Sequence, residues 1–266
     1  MVKKTLVFHF YIKEDFENNA AMKFHLALLK HYANIFDKAI FCISVDDLNN
    51  NELISKAERA ILDCGFKKEI QFIPVENDMY REAATFKSQI LDKLKDIEGI
   101  VFFGHVKGVT NVNTFSHRAE HFLKWILALY FYSLEFADEA ELKLVGIYQG
   151  LRRTFFGPLY TLSKDVGIGW YPGTFFWLNP KKLYNDIQEG VCKLTEIDDR
   201  DWVECLPSIY KYNDGWGRCT SHNDVVMYDG VIDLYKECDW DFITNFYGEK
   251  DKFFDLYYKL YNEIKD

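Results

Sequence analysis

The sequence has no Cys-x-x-Cys pair. Its six cysteines, Cys42, Cys64, Cys192, Cys205, Cys219 and Cys238, are scattered. That argues against a structural zinc site and leaves reduced thiols as the simplest state. A basic excess is also missing. Lysine and arginine number 32 against 41 aspartate and glutamate, a net charge of −9, so no nucleic acid partner is expected. Long apolar runs are absent too. The most apolar later stretch, Trp125 to Phe136, is about half the length needed to span a bilayer. Near the start, Lys3 and Lys4 precede LVFHFYI, but that run is short, contains His9 and is not followed by a small-residue cleavage site. A soluble, cytoplasmic protein is expected, with peripheral contact at the inner face of a membrane left open. The sequence also lacks Gly-x-x-x-x-Gly-Lys-Ser/Thr, Gly-x-Ser-x-Gly and a paired-histidine metal motif, so P-loop and common hydrolase chemistry have little support. With no internal repeat, low-complexity tract or linker, residues 1–266 are read as one domain.

What the chain has is apolar and aromatic mass. It is 48% hydrophobic and 17% aromatic, with 23 phenylalanines and 17 tyrosines, ample for one large core. Most of these rings are expected in the core; the alternative for a few is a surface on which a base or sugar stacks.

Strands and helices alternate. Thr5 to Tyr11, Ala39 to Val45, Ile70 to Val75 and Ile100 to Phe103 read as strands. Ala20 to Ala33, Glu52 to Cys64 and Arg81 to Lys95 read as the helices between them, with Gly65 as a C-cap. Repeated three times, this alternation predicts an α/β fold with a mostly parallel, doubly wound central sheet flanked by helices. Arg118 to Phe136 reads as a core helix, apolar almost all round. Leu142 to Tyr148 reads as a further strand, and Gly167 to Leu178 as a strand interrupted by Pro172-Gly173. Lys181 to Gln188 follows as a helix. The chain closes with an amphipathic helix from Lys252 to Ile264, read as a lid over the core or a homodimer contact.

Polar clusters follow the early strands: Asp46-Asp47, then Glu76-Asn77-Asp78, then His105 and Lys107 beside Gly104 and Gly108. In an open parallel sheet the carboxyl ends of the strands face one crevice, so the three clusters are placed to line one site. Glycine admits a ligand close to the backbone, and Lys107 offers a point charge suited to phosphate. A plain strand-to-helix turn with a surface lysine gives the same local pattern.

The order of motifs resembles that of a group of bacterial and viral polysaccharide glycosyltransferases. That group carries a Glu-x-x-Thr helix followed by a strand ending in a His-x-Lys-Gly turn. Within EAATFKSQILDKLKDIEGIVFFGHVKGVTN, Glu82 and Thr85 match the first part and His105, Lys107 and Gly108 the second. Where the group has a Trp-Arg pair, Ser116-His117-Arg118 keeps the arginine and lacks the tryptophan. Further on, YPGTFFWLNPKKL is similar to a Gly-Thr-Met-Phe-Trp segment of the same group, which includes rhamnan synthesis proteins. Gly173, Thr174, Phe176 and Trp177 carry that match. DDRDWVECL is similar to an acidic Arg-x-x-x-Glu segment, with Arg200 and Glu204 in place. The resemblance, over roughly Ile70 to Leu206, implies a GT-A-like, Rossmann-like fold. It implies hexosyl or deoxyhexosyl transfer from a nucleotide-diphosphate sugar to a glycan or glycolipid, in capsule or lipopolysaccharide assembly. Residues 1–115 would form the nucleotide-sugar half and 116–266 the acceptor half.

Such a transferase neutralises a departing diphosphate and presents an acceptor hydroxyl. Many GT-A enzymes hold a divalent metal with Asp-x-Asp after the fourth strand; here His105-Val106-Lys107 stands there. Lys107, helped by Arg118 or by Arg152-Arg153, is the candidate replacement charge. Mn2+ or Mg2+ is the alternative cofactor, and His105 is open as a partner of a phosphate, a partner of the sugar or a ligand of such a metal. The literal Asp-x-Asp runs, Asp199-Arg200-Asp201 and Asp239-Trp240-Asp241, come late, and the second reads as a solvated turn. An inverting transferase also needs a carboxylate base; Glu204 is the candidate and Asp224 the reserve. Asp46 or Asp47 would suit the base or ribose, joined by Asn77 and Glu82 on the donor side. Gly173 and Thr174 would let the sugar lie against backbone, with Trp177 behind. The competing reading is a non-catalytic nucleotide- or carbohydrate-binding module of the same fold.

Overall fold

The computed structural model describes residues 2–109, 117–145, 155–156, 161–162, 169–170, 175–192, 194, 203 and 240–265. Four parallel strands form its centre: β1 (Lys4–Tyr11), β2 (Lys38–Val45), β3 (Glu69–Glu76) and β4 (Ile100–His105). Between them lie α1 (Ala20–Tyr32), α2 (Asn51–Leu62) and α3 (Arg81–Gln89). After β4 come α4 (His117–Leu134), α5 (Ala137–Leu144), the short strands β5 (Phe155–Phe156), β6 (Thr161–Leu162), β7 (Gly169–Trp170) and β8 (Phe176–Leu178), then α6 (Pro180–Gln188), α7 (Trp240–Tyr247) and α8 (Lys250–Lys265).

The main sheet has the order β3-β2-β1-β4-β8-β5, and β6 pairs separately with β7. β8 is antiparallel to β4 and β5 antiparallel to β8. This is a mostly parallel α/β sheet flanked by helices, Rossmann-like in arrangement. β1, β2 and β4 are buried along nearly their whole length, which is why they read as continuous apolar runs rather than alternating ones. β3 is the edge strand. It alternates exposed and half-buried residues and tolerates Pro74, whose missing N–H would be a defect in a central strand.

One face of the sheet is covered by α1, α2, α4 and α8. Leu6, Phe8, Phe10, Phe41 and Phe102 point there, against Phe24, Ile61, Ile126 and Tyr257. The opposite face packs on α3 and α6 through Val7, Val101, Phe103, Phe86 and Leu183. The chain winds β1-β2-β3 to one side and returns through α3 to place β4 on the other side of β1. The strand order therefore reverses between β1 and β4, and the crevice outside their carboxyl ends is the place where such sheets take ligands.

Three details depart from the sequence reading. The segment read as a strand from Leu142 begins inside α5: Ala137, Ala140 and Leu144 recur on the buried face while Leu142 is 54% exposed. That is a helical period, whereas a strand would bury Leu142 with Leu144. The helix expected to run to Lys95 stops at Gln89 and continues as a 3-10 segment, Leu91–Asp96. Of the run read as a solvated turn, Trp240 is buried at the start of α7 and Asp241 pairs with Lys250 at 3.0 Å, while Asp239 lies outside the described residues.

The apolar stripe of α8 (Phe253, Leu256, Tyr257, Leu260, Tyr261) packs into the core. Among the described residues no helix is long and apolar enough to cross a membrane. Burial pushes the thiols of Cys42, Cys64 and Cys192 up to about 12, so they are unreactive core groups.

Candidate functional site

The crevice at the β1/β4 switch point contains a cavity of about 350 Å³. It is lined by Tyr11 at the end of β1, by Lys13, Asp15, Phe16 and Asn18 in the following turn, by Asn19 and Met22 at the start of α1, and by Val109 after β4. Asn19 ties the two sides together. Its side-chain oxygen accepts from the Met22 amide at 2.9 Å and caps α1, while its Nδ2 donates to the Val109 carbonyl at 2.8 Å. Lys13 stands over the Tyr11 ring at 5.9 Å.

Beside this cavity the ends of β1, β2 and β3 converge on Asp46. The Tyr11 hydroxyl lies 3.3 Å from each of its carboxylate oxygens, and Asn77 Nδ2 donates to Oδ1 at 2.9 Å. Asn77 is held in turn by its own amide, which donates to the Val45 carbonyl at 2.8 Å. Burial, and then the Asp46 charge, push the Tyr11 hydroxyl above its ordinary value, so it stays a donor. Asp47 acts locally. Its Oδ1 accepts from the Asn49 amide at 2.8 Å and fixes the β2–α2 turn.

A second polar group lies under α3. His105, at the end of β4, puts Nδ1 3.3 Å from Glu82 Oε1, and the two residues are only 5% and 7% exposed. Burial alone would raise the Glu82 carboxyl. The His105 charge and hydrogen bond, with His9 adding to them, outweigh burial and hold it well below the usual carboxylate range. His9, the register partner of His105 on β1, places Nδ1 2.8 Å from Thr85 Oγ1. Burial lowers the His9 imidazole to about 4, so it is neutral at ordinary pH. Glu82 and Thr85, three residues apart on one face of α3, thus each meet one histidine.

The turn after β4 is built from the inside. His25, buried on α1, sets Nε2 2.8 Å from the Lys107 amide nitrogen and 2.9 Å from its carbonyl oxygen, and Nδ1 2.9 Å from the Tyr130 hydroxyl. A tyrosine hydroxyl both donates and accepts, so it serves either neutral tautomer. Burial lowers His25 to about 3 and keeps it neutral. Gly108 has φ +82, and a Cβ there would stand 1.9 Å from the Phe122 ring. Its glycine is demanded by the fold, where the sequence had suggested a close approach of ligand. Lys107 extends its ammonium over the Trp125 ring at 5.4 Å, on α4, and is not among the residues lining the cavity.

Of the residues expected on the donor side, the structure therefore brings Asp46 and Asn77 together, and Glu82 with His105. Trp177, expected behind the sugar, is a core residue. It is wholly buried between Phe36 and Phe102, and its Nε1 donates to the Ser133 carbonyl at 2.8 Å. Arg118 lies in the first turn of α4. Arg152, Arg153, Gly173, Thr174, Arg200, Glu204 and Asp224 lie outside the described residues. The sequence reading missed Tyr11, Lys13, Asn19, His9 and His25. His9 carried a signal, a lone histidine inside an apolar strand; the others looked like ordinary loop or helix residues. Among the described residues no three His, Cys, Asp or Glu side chains gather as a metal site.

Searched against protein-family models and against curated proteins, the chain matches none.

Proposed function

We propose that this protein is a glycosyltransferase that moves a sugar from a nucleotide-diphosphate donor to a glycan or glycolipid acceptor. The observation that carries the reading is the Asp46 cluster beside the 350 Å³ cavity at the β1/β4 switch point. A carboxylate pre-oriented by Tyr11 and Asn77 suits hydroxyl or amide donors on a ribose or base. The Tyr11 ring supplies an aromatic surface, and Lys13 supplies positive charge at the mouth. The resemblance of the Glu-x-x-Thr and His-x-Lys-Gly segments to polysaccharide glycosyltransferases points the same way. In this reading Lys13, rather than Lys107, is the cation nearest the cavity, and His105 stands on the sugar side.

The test is thermal-shift binding across nucleotides and nucleotide sugars, each with and without manganese. A ligand at 100 times its Kd adds about 2.7 kcal/mol. A shift with one nucleotide sugar that is lost in Asp46→Ala supports the reading and names the donor. No shift with any nucleotide removes it. Sugar transfer or donor hydrolysis by the same protein then separates an enzyme from a binding module.

A further inference from the structure

The face of the sheet under α3 carries buried polar side chains at its carboxyl end. Side chains alternate along a strand, so Ser44 shares this face with Ile40 and Cys42 of β2, His9 with Val7 of β1, and His105 with Val101 and Phe103 of β4. All three polar residues are buried, and they stand on three adjacent strands. Thr85 answers His9 and Glu82 answers His105. Among the described residues, two buried atoms of this layer have no hydrogen-bond partner, His105 Nε2 and Ser44 Oγ. Native proteins pair almost all such atoms, so each exception points to a water, an ion or a ligand group.

The ionised Glu82 carboxylate can only accept. The nitrogen facing it, His105 Nδ1, must therefore carry hydrogen, and Nε2 is the position left to meet another group. The backbone is shaped for this pairing. Arg81, which opens α3 immediately before Glu82, sits in the left-handed region at φ 44, a conformation unfavourable for an arginine and maintained by its surroundings. The Asp78 carboxylate, accepting from the Tyr80 amide at 2.6 Å, and the Asp78 carbonyl, accepting from the Arg81 amide at 3.0 Å, hold that turn.

We propose that Glu82 is a positioning residue that locks the tautomer of His105, and that His105 Nε2 takes a hydrogen bond with a sugar-ring hydroxyl. This rests on the crevice reading above, in which the sugar is that of the donor. A hydroxyl is the group that fits. It donates to the neutral imidazole and accepts from the protonated one, whereas a phosphate oxygen can serve only the protonated ring.

The test is nitrogen NMR of the full chain with 15N-labelled histidine, near neutral pH. In the free protein His105 should carry a proton on Nδ1, facing Glu82. Glu82→Gln should release the ring to a mixture of tautomers, and Glu82→Asp should restore the bias. A native ring protonated on Nε2 and bare on Nδ1 overturns the proposal. A nucleotide sugar that stabilises the protein is then compared with its own nucleoside diphosphate. Only the sugar-bearing ligand should move the Nε2 signal, and His105→Gln should weaken it about tenfold while leaving the diphosphate unchanged. If the diphosphate alone moves Nε2, or both ligands bind without moving it, the assignment falls and the crevice reading stands. If no nucleotide binds but a free monosaccharide moves Nε2, the crevice reading falls and this assignment stands. Silence from every sugar and nucleotide overturns both.

Discussion

The His25 imidazole closes on the peptide of Lys107, 82 residues further along the chain, with Nε2 2.8 Å from the amide nitrogen. That contact joins α1 to the turn after β4, the two walls of the crevice. Replacing His25 with leucine leaves the Lys107 peptide and the Tyr130 hydroxyl without their partner. The expected loss is about 2–4 kcal/mol. Faster hydrogen exchange at the Lys107 amide, measured at matched fractions folded, would show that the turn itself loosens. Unchanged exchange there would mean that His25 matters only as core volume.

Acid should destabilise the protein from an unusually high pH. His9 and His25 have folded values of about 4 and about 3, against 6.5 when unfolded, because burial disfavours their charged forms. A lowered folded value means the unfolded chain binds the extra proton. Stability is full above pH 6.5 and falls as the pH drops from there towards 4 and 3. Each histidine contributes about 1.4 kcal/mol of loss per pH unit in that window. Glu82, held below the carboxylate range, adds a further loss only below its ordinary value of 4.5. Urea midpoints measured from pH 7.5 to 5 check this, and a flat profile over that range would contradict the neutral buried histidines.

Two glycines separate backbone strain from crowding. Gly65 and Gly108 have φ +78 and +82, but a Cβ at Gly65 meets nothing within 4 Å while one at Gly108 meets Phe122 at 1.9 Å. Gly65→Ala should cost about 1 kcal/mol and Gly108→Ala about 2–4 kcal/mol. Equal losses in denaturant unfolding would mean that Phe122 moves aside freely.

The two lysines should differ in binding. Lys13 stands over Tyr11 at the cavity, whereas Lys107 stands over Trp125 on α4. Lys13→Ala should weaken nucleotide binding about tenfold with little change in stability. Lys107→Ala should remove about 0.5–1 kcal/mol of stability through the lost cation–π contact and leave binding nearly intact. The reverse order, read by calorimetry and unfolding, would restore Lys107 as the crevice cation.

Trp177→Phe removes the bond to the Ser133 carbonyl and some buried volume. A loss of about 1–3 kcal/mol is expected, with nucleotide affinity unchanged once folded fractions are matched. A selective loss of affinity would return Trp177 to the donor site.

Much of the framework was legible in the residues. VFHF, AIFCISV and IVFF are apolar without alternation because both faces of the central strands are covered. That pattern, with helices between, is enough to predict a parallel sheet. Leu142 to Tyr148 misled because LKLV fits a strand and a short helix equally, and only packing against the sheet turned Leu142 outward. Asp46 and Asn77 were legible as members of a crevice because strand ends share one side. Their bond to each other and to Tyr11 was not.

By itself the sequence determined the four parallel strands, the helices between them and their order. Burial and turn preference act over a few neighbouring residues, so apolar runs and a glycine such as Gly65 declare themselves locally. Only the tertiary structure decided the pairings. Placing β4 beside β1 made His105 the neighbour of His9, brought Glu82 and Thr85 down onto them, and set His25 against Lys107. These contacts join residues tens of positions apart. They exist because strand order, which no local pattern encodes, left buried polar groups that had to find partners in one another.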